Sequence, residues 1–322
     1  MSELNKEIII TGINGFVGEH LARHLHSSDF SVTGIGREEY PNSTVSPYID
    51  RYQQADLLNA SQVGTLHLKN AAAIIHLAGL ASVADSFKTP ELYKSGNAEM
   101  TDNLLTTAKQ QGFRGRVVAI STGALYDPNQ SMPLTEDSKI TEGSPYAVGK
   151  IRAEEVIKRH KANGLDVVIA RPFNHIGPGQ GNGFLVADLY GQLLVARETQ
   201  SSTISVGNLA TKRDYTDVRD IVTAYTKLAT ADALTHETYN IASGASLSGF
   251  EILHILQKTM GLELIKPVTD QSRVRLTDAL DIIGDASRLK NELSWDILSS
   301  PTTAIKDFVE RRHSETTEPA NT

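Results

Sequence analysis

Tyr146 and Lys150 are the residues whose types and spacing most directly indicate chemistry. They stand four positions apart in the segment GSPYAVGK at 143–150, where Ser144 is suited to cap a helix and Pro145 to occupy its first position. Side chains four apart on a helix share one face, one turn apart. Because an ammonium and a helix N-terminus both favour a phenolate, we expect the pKa of Tyr146 to fall below its ordinary value of about 10. Such a tyrosine can exchange a proton with a carbonyl or a hydroxyl near neutral pH.

A glycine-rich turn earlier in the chain supplies a second motif. The segment TGINGFVG at 11–18 lies between the first predicted strand and the first predicted helix, with glycines at every third position. Glycines there permit a tight turn and a close approach to a pyrophosphate, and the helix N-terminus offers N–H groups to the phosphates. The spacing differs by one residue from the commonest dinucleotide fingerprint. The turn predicts a dinucleotide site formed by Gly12, Asn14, Gly15, Phe16, Val17 and Gly18.

The end of the second predicted strand bears on the choice between NAD and NADP. A carboxylate there binds the ribose 2′-hydroxyl of NAD, whereas an arginine suits the 2′-phosphate of NADP. Gly36 and Arg37 occupy this position, which favours NADP. Glu38 and Glu39 follow at once, so NAD stays open.

Composition restricts the class of protein. The chain has 322 residues, of which 40% are hydrophobic and 21% charged, as in an ordinary soluble globular protein. A formal net charge of −7 without a basic run argues against nucleic-acid binding, and no apolar stretch approaches the roughly 20 residues that span a bilayer.

The chain has no cysteine, which excludes disulfides, thiolate metal sites and cysteine nucleophiles. His20, His24 and His26 are expected to be solvated on the first helix, with no third ligand that would make a metal site. The polar N-terminus shows no signal peptide, so we expect a soluble cytoplasmic protein without a membrane partner.

Short apolar runs alternate with amphipathic segments, which predicts an α/β fold with a doubly wound, Rossmann-type parallel sheet. The predicted strands cover residues 7–11, 31–35, 72–78, 116–121, 166–170, 203–206 and 239–242. The predicted helices cover residues 15–26, 91–111, 146–163, 218–229, 248–260 and 302–312, with one more from 184. We assign residues 1–172 to a dinucleotide-binding domain, 173–312 to a smaller C-terminal α/β lobe interleaved with the main sheet, and 313–322 to a disordered tail.

Four motifs in this order resemble the extended short-chain dehydrogenase/reductase family, in its sugar-nucleotide branch. They are the glycine turn, the segment STGALY at 121–126, the Tyr146/Lys150 pair and the segment RPFNHIGPG at 171–179. The resemblance implies that Thr122 hydrogen-bonds the reacting oxygen and that Tyr146 is the general acid/base. It implies that Lys150 tunes Tyr146 and holds the nicotinamide ribose, and that Asn174 contacts the sugar nucleotide.

The same resemblance implies further contacts with the cofactor. Asp56 and Leu57 are placed to reach the adenine, and a strand-end segment lines the cofactor groove with Leu77, Ala78 and Gly79. In this family the helices at 91–111 and 146–163 often pair into a dimer interface, so we expect a homodimer.

Within this branch the chain most resembles reductases of GDP-4-keto-6-deoxymannose and GDP-mannose 4,6-dehydratases, through segments 171–180 and 207–220 and around Arg275. The resemblance makes Arg213 and Arg275 the candidates to clamp a substrate diphosphate, since arginine suits bidentate phosphate contacts. The alternative for both is a structural or surface ion pair, with Asp214 or Asp278.

Departures from the branch narrow the reaction. The dehydratases carry a carboxylate two residues after the catalytic threonine and a lysine after the Gly-rich loop, where this chain has Ala124 and Asp188. The related epimerase-reductases use a cysteine, and the chain has none. We therefore predict an NAD(P)H-dependent reductase of a nucleotide-diphosphate 4-keto-6-deoxyhexose, with NADPH favoured. An NAD-dependent nucleotide-sugar 4-epimerase with the same residues and a non-catalytic dinucleotide-sensing protein are the alternatives.

Overall fold

The computed structural model describes residues 6–273 and 279–317 of the chain. Its strands are β1 (Glu7–Thr11), β2 (Ser31–Gly36), β3 (Arg51–Gln54), β4 (Ala73–His76), β5 (Arg116–Ile120), β6 (Asp166–Pro172), β7 (Asn174–Ile176), β8 (Thr203–Val206), β9 (Lys212–Asp217), β10 (Thr238–Ile241), β11 (Ser246–Ser248), β12 (Lys266–Thr269) and β13 (Asp281–Ile282). Seven of them form the main sheet in the order β10–β6–β5–β4–β1–β2–β3, and all its neighbouring strands are parallel. The strand order reverses between β1 and β4, and such a switch point opens the crevice in which doubly wound sheets bind ligands.

Helices cover both faces of the main sheet. They are α1 (Phe16–His26), α2 (Ala60–Gly64), α3 (Val83–Ser86), α4 (Pro90–Gln110), α5 (Pro145–Ala162), α6 (Leu185–Glu198), α7 (Val218–Thr230), α8 (Gly249–Met260), α9 (Ser287–Leu293) and α10 (Pro301–Thr317). Successive residues of a strand point to opposite faces. Thus Ile8 and Ile10 of β1 pack into a core with α1 and α7, whereas Ile9 packs into a second core with α4 and α5.

After β6, α7 and β10 belong to the main sheet and its core, and other elements form a group that we call the smaller lobe. The lobe has its own buried core, formed chiefly by α6, α8 and α10 over two small sheets. Between its elements the chain returns to the main sheet as β10, which pairs with β6. Because β7 pairs with β9, the segment that follows β6 is fixed against the lobe.

The predicted fold class is confirmed, and the differences from the predicted elements have local causes. The sequence did not predict β3, because RYQQ is polar and this strand lies at the edge of the sheet. The last helix, α10, runs to Thr317, five residues beyond its predicted end at residue 312. The last turns of this helix are held by Arg311, which donates to Glu19 at 2.7 and 3.1 Å, and by Arg312, which donates to the Gln180 carbonyl at 3.0 Å. Residues 318–322 lie outside the described residues.

None of the helices described combines the length and the apolarity that a membrane crossing requires.

Candidate active site

The glycine turn after β1 has the shape that a dinucleotide requires. Gly12 has φ +70°, and a Cβ there would lie 2.8 Å from the Ala78 nitrogen, so the position admits only glycine. A Cβ on Gly18 would lie 2.3 Å from the Ile13 oxygen, which brings α1 close against the turn. Gly15 is exposed and begins α1 without a side-chain cap, so the first N–H groups of the helix point outward unpaired by a cap. The turn therefore fits the pyrophosphate of a dinucleotide.

Two charged residues that bear on the choice between NAD and NADP lie at the rim of the crevice beside the glycine turn. Arg37 is exposed, directly after β2. The Glu38 carboxylate accepts a hydrogen bond from Asn14 Nδ2 at 2.9 Å. This bond, together with the charge of Arg37, holds the pKa of Glu38 below its usual range. Asn14 also accepts from the Asn42 N–H at 2.9 Å, so the predicted cofactor residue Asn14 fixes the rim as well.

The other predicted cofactor residues differ in what their side chains can reach. Phe16 and Val17 at the start of α1 and Leu77 and Ala78 after β4 are half-buried, and Gly79 is exposed. A Cβ on Gly79 would lie 3.5 Å from Lys150 Nζ, which places this backbone beside the lysine. Asp56 is half-buried, and its Oδ1 accepts from the Leu58 N–H at 3.0 Å. Leu57 is 3% exposed and belongs to the core beneath α4, so its side chain is committed to packing.

Thr122, Tyr146 and Lys150 meet at the carboxyl end of β5. The helix α5 begins as expected, with the Ser144 side chain accepting from the Ala147 N–H at 3.1 Å and Pro145 in its first turn. The side chains of Thr122 and Tyr146 lie close enough for Thr122 to affect the titration of the Tyr146 phenol. Thr122 also accepts from the Ala124 N–H at 3.1 Å and so caps a short 3-10 turn. Lys150 Nζ donates to the Ile120 carbonyl at 2.8 Å, at the last residue of the strand.

The direction of the Tyr146 shift differs from the expectation. Burial raises the pKa of Tyr146, and the neighbouring Thr122 side chain opposes this only in part. Burial lowers the pKa of Lys150 to about 8, against the charge of Glu154. The prediction of a lowered tyrosine pKa was wrong because helical spacing reveals neighbours but not desolvation, which disfavours any charged form. A phenol with a raised pKa is protonated at neutral pH and ready to donate.

The residues predicted to bind substrate lie on the smaller lobe. Asn174 is exposed at the start of β7. Arg213 on β9 donates from Nη1 to the carbonyls of Lys212 and Ala279 at 2.8 and 2.9 Å. Asp214, one alternative partner of Arg213, instead accepts from Ser243 and from two backbone N–H groups. Arg275 lies outside the described residues.

A groove of about 730 Å³ runs between α6 and β8 of the same lobe. Its polar lining includes Asn182, Asp188, Gln192 and Ser205. Asp188 accepts from the Gly183 N–H at 2.8 Å and so ties α6 to the Gly-rich loop that follows Asn174. The groove therefore begins where the predicted substrate loop ends.

Some polar residues near the site were not assigned a role from the sequence. Ser121, Glu154 and Arg171 form a buried network directly behind Thr122 and Lys150. The helical spacing of Lys150 and Glu154 was a signal that could have identified Glu154. His20 is not solvated as predicted, because its Nε2 lies 2.7 Å from the Pro178 carbonyl under the Gly-rich loop. In the part of the chain that the structure describes, no group of three or more His, Asp or Glu side chains could hold a metal ion.

Known proteins resemble this chain in sequence and in fold. The family model of the NAD dependent epimerase/dehydratase family matches residues 8–242. The chain is 31% identical to the GDP-6-deoxy-D-mannose reductase of Pseudomonas aeruginosa over 91% of this chain and 92% of the relative. It is 29% identical to a UDP-glucose 4-epimerase of Mycolicibacterium smegmatis over 76% of this chain and 79% of that one. The solved structure of RMD from Pseudomonas aeruginosa complexed with NADPH has a TM-score of 0.83 at 28% identity, covering 96% of this chain and 99% of that one.

The family match spans most of the chain and includes the glycine turn, Thr122, Tyr146 and Lys150. The predictions of the extended short-chain dehydrogenase/reductase type and of an NAD(P)-dependent enzyme are confirmed. The chain belongs to the NAD dependent epimerase/dehydratase family.

Proposed function

We propose that the protein is an NADPH-dependent reductase of a GDP-linked 4-keto-6-deoxyhexose. The observation that carries the proposal is the meeting of the Thr122 and Tyr146 side chains, with Lys150 one turn behind, at the mouth of a dinucleotide crevice. The relative named GDP-6-deoxy-D-mannose reductase supports the substrate class. The structural neighbour complexed with NADPH supports the cofactor.

The residues of the crevice fit a dinucleotide, and each has a proposed part in holding it. The N–H groups at the start of α1 would receive the pyrophosphate, Arg37 the 2′-phosphate and Lys150 the nicotinamide ribose. When bound, the nicotinamide would supply the hydride that reduces a carbonyl carbon.

The proton comes from the protein. Tyr146 and Thr122 would both donate hydrogen bonds to the C4 carbonyl oxygen of the substrate. As the carbon receives the hydride, the oxygen takes the proton of the Tyr146 hydroxyl, so that the ketone becomes an alcohol and the tyrosine a phenolate. The ammonium of Lys150 would stabilise that phenolate until solvent reprotonates it. The raised pKa of Tyr146 favours this direction, because the enzyme must begin each turnover with a protonated phenol.

The substrate diphosphate is assigned to Arg213 and Arg275, and the sugar nucleotide to Asn174. The groove between α6 and β8 would receive the nucleoside, since it opens next to the loop that follows Asn174. Ala124, two residues after Thr122, offers no acid to expel a hydroxyl from C6, which argues for reduction rather than dehydration.

The direct test is a screen of GDP-, UDP- and dTDP-linked 4-keto-6-deoxy sugars for oxidation of NADPH, read at 340 nm as the loss of absorbance. We expect turnover with the GDP sugar and a 6-deoxyhexose product by NMR. The Tyr146→Phe variant serves as the control, because it keeps the ring but lacks the proton. Absence of NADPH oxidation with every sugar would refute the proposal.

A 4-epimerase is the second candidate, and the Glu38 carboxylate at the crevice rim favours it. A carboxylate near the end of β2 suits the 2′-hydroxyl of NAD. An epimerase retains its NAD and consumes none, so tightly bound NAD in the purified protein and interconversion of C4 epimers without added cofactor would support it. A dinucleotide sensor, in contrast, would keep its response in the Tyr146→Phe variant.

We also propose that two copies associate through α4 and α5. The two helices pack closely within one chain, where a Cβ on Gly149 would lie 2.0 Å from the Tyr93 carbonyl oxygen, so together they offer one stiff surface. Sedimentation equilibrium should give twice the chain mass of 35.0 kDa.

A further inference from the structure

Three side chains of α5, each one turn apart, meet three consecutive residues at the end of β5. Tyr146 lies beside the Thr122 side chain, and Lys150 donates to the Ile120 carbonyl at 2.8 Å. Glu154 completes the series, because its Oε1 accepts from the Ser121 hydroxyl at 2.6 Å. The first two of these contacts belong to the proposed catalytic machinery, and the third has no part in it.

The Glu154 carboxylate is buried and paired. Its side chain is 3% exposed, and Arg171 from β6 donates to it from Nε at 2.8 Å and from Nη2 at 2.6 Å. This bidentate geometry fixes the plane of the carboxylate as well as its position. The Ser121 hydroxyl therefore meets an acceptor that cannot rotate.

The arginine is in turn held from the opposite side. Its Nη1 donates to the Tyr126 hydroxyl at 2.9 Å, and that hydroxyl donates to Asn240 Oδ1 at 2.7 Å. Tyr126 directly follows the 3-10 turn that Thr122 caps, and Asn240 lies on β10. The network thus ties α5 to the strand end, to the turn after Thr122 and to the next two strands of the sheet.

Glu154 also lies beside Lys150. Both line a small internal cavity of about 10 Å³ whose polar wall includes His76 and Asn97. The carboxylate is the negative charge that offsets the burial of the Lys150 ammonium.

We propose that Glu154 is a positioning residue for the reduction, which fixes Ser121 and hence Thr122 through its pairing with Arg171 and stabilises the ammonium of Lys150. The kinetic part of this proposal rests on the proposed function, whereas the effect on Lys150 does not.

The charged and titratable groups around Lys150 come from three elements. Tyr146 and Glu154 share its helix, His76 lies at the end of β4, and Arg171 of β6 lies against Glu154. Burial, with a smaller contribution from the Lys150 charge, lowers the pKa of His76 to about 3, so this histidine is neutral over the working range. Glu154 is therefore the group whose removal should change the titration of Lys150.

The test is a carbon-13 NMR titration of the Lys150 ε-carbon, assigned with Lys150→Arg, alongside the pH profile of kcat for the GDP-linked 4-keto-6-deoxy sugar. In Glu154→Gln we expect the titration midpoint of Lys150 to fall by about one pH unit, which corresponds to a tenfold weaker binding of its proton. We expect kcat to fall at least about tenfold with KM changed less than about threefold, since the contact acts on the reacting groups rather than on substrate affinity. Glu154→Asp keeps the charge and should return the Lys150 midpoint to that of the unmodified protein.

The single variant leaves Arg171 buried without its partner, so the charge-neutral pair Glu154→Gln/Arg171→Gln is made beside it. The matched control is Asp166→Asn, which breaks the ion pair between Arg116 and Asp166 at the amino ends of β5 and β6. A folded variant lacking the Glu154 charge whose Lys150 midpoint and kcat equal those of the control would overturn the proposal. A shifted midpoint in a protein that reduces none of the sugars would refute the proposed function and leave the role of Glu154 toward Lys150 supported.

Discussion

An arginine–carboxylate ion pair lies at each end of the paired strands β5 and β6, but water reaches only one of the two ion pairs. At the amino end Arg116 meets Asp166 at 3.0 Å, and the Asp166 side chain is 51% exposed. At the carboxyl end the Arg171–Glu154 pair is 7% and 3% exposed. The two ion pairs thus differ in energy, because a solvated pair contributes little to stability, whereas breaking a buried pair is strongly destabilising. The buried pair lies behind the proposed catalytic groups, and the solvated pair does not.

Burial at the carboxyl edge extends from that ion pair to the proposed catalytic groups. Tyr146 is 7% exposed and Lys150 9%, and burial moves the pKa of the first up and of the second down. Both shifts have the same cause, because burial disfavours the charged form of each group. In the proposed reaction, the negative charge left on Tyr146 would therefore lie in a low dielectric beside the Lys150 ammonium.

Of the substitutions at the two ends of β5 and β6, Tyr146→Phe should have the largest effect on activity. Loss of the proton donor is expected to lower kcat by a factor of about 100 to 10,000. Binding of NADPH, followed by fluorescence, should change little because the phenyl ring remains. A variant that keeps more than about a tenth of the activity would assign the proton to another group.

Lys150→Met should show how the buried ammonium changes the free energy of unfolding, separately from its role in the proposed reaction. The pKa of Lys150 falls from 10.5 to about 8 on folding, so the unfolded chain binds its proton more tightly between those values. The wild type therefore gains stability as the pH rises through this window, and the variant, which has no such group, does not. We expect the stability of the variant relative to wild type to decline by up to about 3 kcal/mol between pH 7 and pH 11.

Urea unfolding at those two pH values measures this difference. Equal pH dependence in both proteins would mean that the lysine is not desolvated on folding. Activity should be lost in the variant at every pH, because the phenolate left on Tyr146 has no ammonium beside it.

The contrast also explains what could be read from the sequence. The glycine turn and the Tyr146/Lys150 spacing are local patterns, so the dinucleotide fold and the start of α5 followed from them. The meeting of Ser121, Glu154 and Arg171 depends on the parallel register that sets Ile120 opposite Ala170, which no local pattern contains. The pKa of Tyr146 was misjudged for the same reason, since its burial arises from packing across elements.

Substitution of the two charged residues after β2 should have the next smaller effect at the carboxyl edge. It should change the preference for NADPH over NADH. Removing the positive charge in Arg37→Ala should lower the preference for NADPH over NADH by about tenfold, as expected for one charge-assisted phosphate contact. Removing the negative charge in Glu38→Gln should raise that preference, because a carboxylate repels the 2′-phosphate. The ratio of kcat/KM for the two cofactors is the measurement. A ratio that neither substitution alters would place the adenine ribose elsewhere.

Asp166→Asn at the amino end should have the smallest effect. Arg116 keeps its bonds to the carbonyls of Leu228 and Ala231 at 3.1 and 2.6 Å, so its guanidinium is not left without partners. With half of Asp166 in water, the pair should contribute about 0.2–1 kcal/mol to the free energy of unfolding, less at high salt. Denaturant unfolding at low and high salt measures this, and kcat should stay within about twofold of wild type. A loss of activity in this variant as large as in Glu154→Gln would mean that both ends of the strands transmit to the site, and the contrast between a solvated and a buried ion pair would no longer explain where the chemistry lies.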